Sequence, residues 1–165
     1  MDKDLEALSA RVGQALLERK LFLACAESCT GGWVAEAVTA IGGSSQWFER
    51  GYVTYSNAAK QELLGVKADT LRREGAVSEA VAREMAAGAL QRSHAQAALA
   101  ISGVAGPTGG SPDKPVGTVC FAWVLRNGAP TAETKRFSGD REAVRRQSVM
   151  HALRGLLERL PESGN

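Results

Sequence analysis

Two side chains that can act as nucleophiles, Ser28 and Cys29, stand side by side in the stretch CAESCTGGWVAEAV. A short apolar segment precedes them, and two glycines and a segment with helical spacing follow. This pattern predicts that Ser28 lies in the turn between the end of a strand and the start of a helix, beside backbone N–H groups that have no partner within the helix. A serine in that place can attack a carbonyl carbon while nearby N–H groups, those of Thr30 and Gly31, stabilise the oxyanion. The alternative from position alone is that Ser28 or Thr30 only caps the helix.

Either nucleophile needs a base. A cysteine nucleophile usually pairs with a histidine, but His94 and His151 both fall in helical stretches rather than on loops after strands, where site residues gather in α/β sheets. For Ser28 a lysine can serve, and Lys60 follows the second predicted strand directly. Its pKa would have to fall from about 10.4 towards ~7–8 for it to accept a proton near neutral pH. The alternative is a solvated lysine on a short surface helix.

A third candidate segment, ISGVAGPTGGSPDKPVGTV, holds five glycines and three prolines after a predicted strand. Such a loop has a fixed backbone shape, and its N–H groups could cradle a phosphate or a carboxylate. Ser102 and Thr108 are possible hydroxyl contacts, whereas Asp113 and Lys114 are expected only at its rim. The segment matches neither a P-loop nor a dinucleotide-binding fingerprint, and a plain structural turn is the alternative.

Composition excludes several other classes of function. The 165 residues carry a formal charge of +2, and no basic run tracks a phosphate backbone, so direct nucleic-acid binding is not expected. Three cysteines and two histidines show neither a disulfide framework nor zinc-ligand spacing, so the chain is predicted to be reduced, cytoplasmic and free of metal. The charged N-terminus is not a signal peptide, and no apolar run approaches the ~20 residues that span a bilayer.

The elements that must position these groups alternate along the chain. Strands are predicted from a continuous apolar run, from β-branched and aromatic enrichment and from an Asn-Gly turn that closes one hairpin. Helical periodicity marks the rest. Strands are expected at 21–27, 51–56, 96–106, 116–128 and 131–139, and helices at 4–20, 30–41, 57–66, 77–95 and 140–160. This order predicts a single α/β domain over residues 1–165, three-layered (α/β/α), with a mixed, mostly parallel sheet.

Several stretches together resemble one family. AESCTGG, GYVTYSNAAKQELLGV, GAVSEAVAREMA, SGVAGPTGG and KPVGTV are similar, in this order, to the C-terminal domain of the competence/damage-inducible protein CinA. The resemblance extends from about residue 5 to residue 160. Stand-alone members of that family are nicotinamide-nucleotide amidohydrolases. The resemblance therefore implies hydrolysis of the carboxamide of nicotinamide mononucleotide (NMN) to nicotinic acid mononucleotide and ammonia, by a serine–lysine pair without a metal or other cofactor.

The motifs also imply roles for individual residues. Ser28 falls on the motif serine, Lys60 on the motif lysine and Tyr55 on the motif tyrosine, which makes these three the expected catalytic residues. The expected oxyanion and substrate-binding residues are Thr30, Gly31, Gly32, Ser102, Gly103, Gly106, Thr108, Gly109, Arg141 and Arg145, the two arginines being candidates for the substrate phosphate. A homo-oligomer is expected as well. The alternative function is a non-catalytic nucleotide-binding domain, or an interaction domain associated with competence or DNA damage.

Overall fold

Helices and strands alternate along the computed structural model, which describes residues 2–163. Residues 1, 164 and 165 of the expected domain lie outside the described residues. The helices are α1 (Lys3–Arg19), α2 (Trp33–Thr39), α3 (Asn57–Leu64), α4 (Ala68–Glu74), α5 (Glu79–Gln91) and α6 (Arg141–Arg159). The strands are β1 (Leu23–Glu27), β2 (Phe48–Val53), β3 (Ala97–Gly103), β4 (Thr118–Leu125) and β5 (Thr131–Arg136). No described helix combines the length and apolar character needed to cross a membrane.

The five strands form one sheet in the order β2-β1-β3-β4-β5. Strand β1 pairs in parallel with both β2 and β3, whereas β4 runs antiparallel to β3 and to β5. Four strands therefore point one way and β4 alone points the other, which confirms the predicted mixed, mostly parallel sheet. The carboxyl ends of β1, β2 and β3 share one edge, and Gly103 opposite Val119 places the start of β4 there too.

Each face of the sheet carries its own hydrophobic core. Alternate residues of β1 divide between the two cores: Leu23 and Cys25 belong to one, Ala24 and Ala26 to the other, and all four are buried. Helices α1, α2 and α6 cover the first face, and α3, α4 and α5 cover the second. Because helices cover both faces of β1, neither face carries polar side chains exposed to water, which explains the unbroken apolar run in this part of the sequence. The three-layer prediction is confirmed.

Three predicted boundaries near the candidate residues are wrong. Strand β3 is expected at 96–106 but ends at Gly103. Strand β2 was expected at 51–56 but ends at Val53, because the Ser56 side chain accepts a hydrogen bond from Ala59 N (3.0 Å) and caps α3. Helix α2 was expected to start at Thr30 but begins at Trp33. All three shifts lengthen the turns at the carboxyl edge of the sheet, so more of the expected site lies on turns than the pattern indicated.

Candidate active site

A cleft of about 300 Å³ opens at the carboxyl edge of the sheet. Its walls come from the turns after β1, β2 and β3, from helix α3, from the segment before α5 and from the first residue of α6. It is lined by Ser28, Cys29, Tyr55, Asn57, Lys60, Ala76, Val77, Ser102, Gly103, Val104, Ala105, Gly106, Thr108, Gly109 and Arg141. Nine residues expected in the site from the sequence thus share one cleft: Ser28, Tyr55, Lys60, Ser102, Gly103, Gly106, Thr108, Gly109 and Arg141.

Lys60 and Ser28 are in hydrogen-bond contact. The Lys60 Nζ lies 3.0 Å from Ser28 Oγ and 2.8 Å from the carbonyl oxygen of Thr54. Lys60 sits on α3, and only 2% of its surface is exposed. The interpretation of Lys60 as a solvated surface lysine is therefore wrong.

The surroundings of Lys60 favour its neutral form. Burial lowers the pKa of the Lys60 ammonium, because a charged group loses hydration in the protein interior, and a charge on Cys29 would act in the opposite direction. No side-chain carboxylate within residues 2–163 forms an ion pair with Nζ. A neutral amine here can donate to the Thr54 carbonyl and still accept the proton of the Ser28 hydroxyl.

Cys29 lines the same cleft but is poorly suited to attack. Burial raises the pKa of its thiol to about 11, so the reactive thiolate is scarce near neutral pH. Neither histidine lines the cleft: the His151 ring bonds Glu133 at 2.9 Å, and the backbone N–H of His94 donates to Glu49.

The turn that carries Ser28 is held by a buried carboxylate. Glu27, at the end of β1, accepts hydrogen bonds from Thr30 Oγ1 (2.6 Å) and from the backbone N–H groups of Val34 (2.9 Å) and Ala35 (3.1 Å). Glu27 thus accepts hydrogen bonds from the backbone N–H groups in the first turn of α2. These groups have no local cap, because the residue before the helix is Gly32, which has no side chain. The interpretation that Ser28 or Thr30 caps this helix is wrong, and the Ser28 hydroxyl is free for Lys60.

Two backbone donors of this turn have no partner among the described residues. The Gly31 N–H, expected at the oxyanion site, instead donates to the Ser28 carbonyl at 3.0 Å. The N–H groups of Cys29 and Thr30 make no hydrogen bond with residues 2–163. Of these two residues only Cys29 lines the cleft, whereas Thr30 is fully buried, so the Cys29 N–H next to Ser28 is the backbone donor of this turn that adjoins the cleft.

The opposite wall is built from the segment after β3. Ser102 Oγ donates to the Ala76 carbonyl at 2.7 Å, and Lys114 Nζ donates to the Glu74 carbonyl at 2.6 Å. These bonds fasten the segment before α5 to the glycine-rich loop, so Lys114 is more than a rim charge. Gly106 has a φ of +85°, a conformation that favours glycine.

Arg141 spans the mouth of the cleft. Its guanidinium donates to the Gly106 carbonyl at 2.7 Å and to the Tyr55 hydroxyl at 3.0 Å. Tyr55 is 62% exposed, so the pair can rearrange around a ligand at little cost. Arg141 therefore places a positive charge at the open end of the cleft, away from the buried Lys60.

Four expected site residues do not line the cleft: Thr30, Gly31, Gly32 and Arg145. Thr30 is buried and hydrogen-bonded to Glu27. Gly31 and Gly32 shape the backbone of the turn, with φ angles of +61° and +103°. Arg145 binds the turn from behind, through the carbonyls of Cys29 and Thr30.

Sequence reasoning missed several contributors to the site. Asn57, Ala76 and Val77 line the cleft, the Thr54 carbonyl binds Lys60, and Glu27 holds the turn. Of these, only Glu27 carried a signal, since a carboxylate ending an apolar strand must find buried donors. Within residues 2–163, no group of three or more histidine, cysteine or acidic side chains is placed to hold a metal ion.

The fold and the cleft define a three-layer α/β protein with a lysine-paired serine at the carboxyl edge of its sheet. The family model of the CinA C-terminal domain matches residues 5–160, and the chain belongs to this family.

Its curated relatives include nicotinamide-nucleotide amidohydrolase PncC of Escherichia coli K12, 56% identical over 94% of each chain. The protein of the same name from Pseudomonas putida is 52% identical over 93% of this chain and 96% of its own. Among solved structures, the competence/damage inducible protein CihA of Agrobacterium tumefaciens superposes with a TM-score of 0.93 at 44% identity, covering 96% of both chains.

Proposed function

We propose that this protein hydrolyses the carboxamide of nicotinamide mononucleotide, giving nicotinic acid mononucleotide and ammonia, with Ser28 as nucleophile and Lys60 as base. The observation that carries this proposal is the 3.0 Å contact between Lys60 Nζ and Ser28 Oγ inside the cleft. Lys60 is buried, and no carboxylate of the described residues forms an ion pair with its amine. Relatives that match nearly the whole chain are named nicotinamide-nucleotide amidohydrolases, which supports the choice of substrate. On this proposal the whole chain is one amidohydrolase domain.

In the acylation step, neutral Lys60 removes the hydroxyl proton of Ser28 while Oγ forms a bond to the amide carbon. The carbonyl electron pair moves onto the oxygen, which the N–H of Cys29 stabilises. When the carbonyl re-forms, the carbon–nitrogen bond breaks, and protonated Lys60 returns its proton to the departing nitrogen, releasing ammonia. Tyr55 is a less direct acid, because its hydroxyl is held by Arg141 at the mouth.

In the deacylation step, a water molecule replaces ammonia. Lys60 takes a proton from this water, the water oxygen attacks the acyl carbon, and the bond between that carbon and Ser28 Oγ breaks. Lys60 then gives the proton back to Oγ, which restores the free enzyme.

The substrate phosphate requires positive charge and N–H donors. Arg141 and the backbone of the loop that includes Thr108 and Gly109 offer both at the mouth of the cleft. The amide end is thus directed inwards to Ser28, and the phosphate stays at the hydrated rim.

The experiment that tests this proposal measures ammonia release from NMN and identifies the second product by chromatography. Ser28→Ala should reduce kcat by at least about 10³-fold without loss of fold, because the acyl-enzyme cannot form. Cys29→Ala is the matched control and should keep most of the activity, since its thiol is protonated and makes no bond to substrate. Activity that survives in Ser28→Ala but disappears in Cys29→Ala would contradict the proposal.

A further inference from the structure

The side chain of Asn57 lines the cleft with an amide that is free to bind a ligand. Most polar side chains of the cleft are already hydrogen-bonded within the protein: Lys60 to Ser28, Arg141 to Tyr55, and Ser102 to the Ala76 carbonyl. The Asn57 backbone carbonyl accepts a hydrogen bond from Gln61, but the side chains of Asn57 and Thr108 make none with residues 2–163. These two side chains therefore keep their full hydrogen-bonding capacity for a bound molecule.

Asn57 lies between the buried end of the cleft and its open mouth. It is the first residue of α3 and is exposed, whereas Lys60 on the same helix is buried. Side chains three residues apart on a helix are neighbours, with roughly 5–6 Å between their Cβ atoms. The long Lys60 side chain reaches inwards to Ser28, while the short Asn57 side chain stays nearer to solvent. A ligand whose reacting group meets Ser28 thus presents its adjoining part to Asn57.

The order of chemical groups in NMN matches this order of residues. The carboxamide and the ribose are attached to different atoms of the pyridine ring, and the phosphate follows the ribose. When the carboxamide is at Ser28 and the phosphate is at Arg141, the ribose lies between them. Asn57 belongs to this middle part of the cleft, so the ribose is the part of the substrate that it faces.

An asparagine amide complements the two neighbouring hydroxyls of a ribose. Its carbonyl oxygen accepts hydrogen bonds and its NH₂ group donates them, and each hydroxyl can do either. Arg141 offers only donors, and Thr108 belongs to the glycine-rich loop beside the phosphate. A ribose hydroxyl that leaves water without a new acceptor costs binding free energy, so the acceptor supplied by Asn57 affects affinity.

We infer that Asn57 is a specificity-determining residue that binds the ribose hydroxyls of the substrate, with Oδ1 accepting from one and Nδ2 donating to the other. The substrate class is thereby narrowed to nicotinamide ribosides with an intact 2′,3′-diol. This inference rests on the proposed function.

The first test compares NMN with 2′,3′-dideoxy-NMN, which lacks both hydroxyls. Asn57→Ala should lower kcat/KM for NMN by about 10–10²-fold, chiefly through KM, because two hydrogen bonds of ordinary strength are lost. The native protein should lose a similar factor on the dideoxy analogue, and Asn57→Ala should hydrolyse that analogue as well as the native protein does. Glu62→Ala, which changes an exposed residue of α3 outside the cleft, is the matched control and should keep native kinetics on both substrates.

Thr108→Val tests the other side chain that has no hydrogen bond in the protein. It should lose the same factor on both substrates, because Thr108 lies beside the phosphate rather than the diol. An equal loss on both substrates in Asn57→Ala, or no loss on NMN, would overturn the inference. A loss that depends on the diol in Thr108→Val, but not in Asn57→Ala, would overturn it as well.

Binding measurements separate this inference from the proposed function. In Ser28→Ala, calorimetry gives the Kd of NMN and of the dideoxy analogue without turnover. NMN should bind about 10–10²-fold more tightly than the analogue, and adding Asn57→Ala should remove this preference. If the native protein leaves NMN intact but the preference depends on Asn57, only the proposed function is refuted. A preference that survives Asn57→Ala, or a failure to bind NMN at all, would overturn the inference even if the native protein releases ammonia from NMN.

Discussion

At the scale of single residues, the contact between Ser28 and Lys60 depends on how burial changes proton affinity. A solvated lysine holds its proton near neutral pH and cannot act as a base. Here burial lowers the pKa of Lys60, and the Thr54 carbonyl occupies one N–H without compensating a full charge. The same burial raises the pKa of the neighbouring Cys29 thiol. One environment therefore favours the neutral, basic form of the amine and the neutral, unreactive form of the thiol.

The direction of the Lys60 shift predicts the pH dependence of the reaction. Because only the neutral amine accepts the serine proton, kcat/KM should rise with pH through the pKa of Lys60 in the free enzyme, and that pKa should lie below the pKa of a solvated lysine. Lys60→Ala should lower kcat/KM by about 10²–10⁴-fold, the usual contribution of a general base. Stopped assays with NMN across pH measure both effects.

Lys60→Arg distinguishes a base from a fixed charge. Arginine keeps the positive charge but does not lose its proton at working pH, so it should be about as inactive as Lys60→Ala. Circular dichroism checks that each variant folds. A folded Lys60→Arg protein with substantial activity, or a native profile without the rising limb, would rule out Lys60 as the base. The native profile is the stronger of these measurements, because it does not depend on fitting a larger side chain into a buried site.

At the scale of elements, the sequence predicts which segments carry the site but not how their ends are made. The apolar run before Ser28 and the position of Lys60 after the second strand suffice to bring both residues to one sheet edge. The start of α2 could not be predicted, because its donors are satisfied by Glu27 from the preceding strand rather than by a local cap. The role of Arg145 could not be predicted either, since it binds carbonyls 115 and 116 residues away.

Helix α3 carries Lys60, and its position depends on close approach to α5. A Cβ added to Gly88 of α5 would lie 1.9 Å from the carbonyl oxygen of Leu64, the last residue of α3. Alanine normally stabilises a helix interior by about 1 kcal/mol relative to glycine. Here we expect the opposite sign, because the overlap is with backbone that cannot rotate away.

Gly88→Ala should lower the free energy of unfolding by about 2 kcal/mol, within the usual range for overpacking. It should also lower kcat, because Lys60 lies one helical turn from the end of α3 and is displaced together with it. Urea unfolding and NMN kinetics measure the two effects. Gly42→Ala is the matched control, since a Cβ there meets nothing within 4 Å. Equal stability of the two variants would mean that α3 and α5 have room to separate.

At the scale of the whole molecule, the two ends of the described chain meet on one face of the sheet. Helices α1 and α6 both pack on the core that includes β1. Asp2 accepts a hydrogen bond from Leu5 N at 2.8 Å, which caps α1, and also binds the Arg146 guanidinium at 2.9 and 3.0 Å. One carboxylate thus begins the first helix and joins it to the last, which also carries Arg145. The predicted homo-oligomer and cytoplasmic location stay predictions.

The Asp2 carboxylate should make stability depend on pH in the acid range. Its hydrogen bonds with Arg146, and then with Leu5 N, lower its pKa from 3.8 to about 2. A carboxylate whose pKa is depressed by folding stabilises the protein above its unfolded pKa, and this contribution is lost as pH falls from about 5 towards 2.

Asparagine caps a helix about as well as aspartate, so Asp2→Asn keeps the cap and removes the charge. Because 39% of the Asp2 side chain and 37% of the Arg146 side chain are exposed, we expect Asp2→Asn to cost only about 1 kcal/mol at pH 7. Urea unfolding of both proteins from pH 7 to pH 2 should show this difference shrinking towards zero, and shrinking also in 1 M salt at pH 7. A difference that stays constant across that pH range would mean that the pair between Asp2 and Arg146 contributes nothing, and that the two helices are held together by their apolar contacts alone.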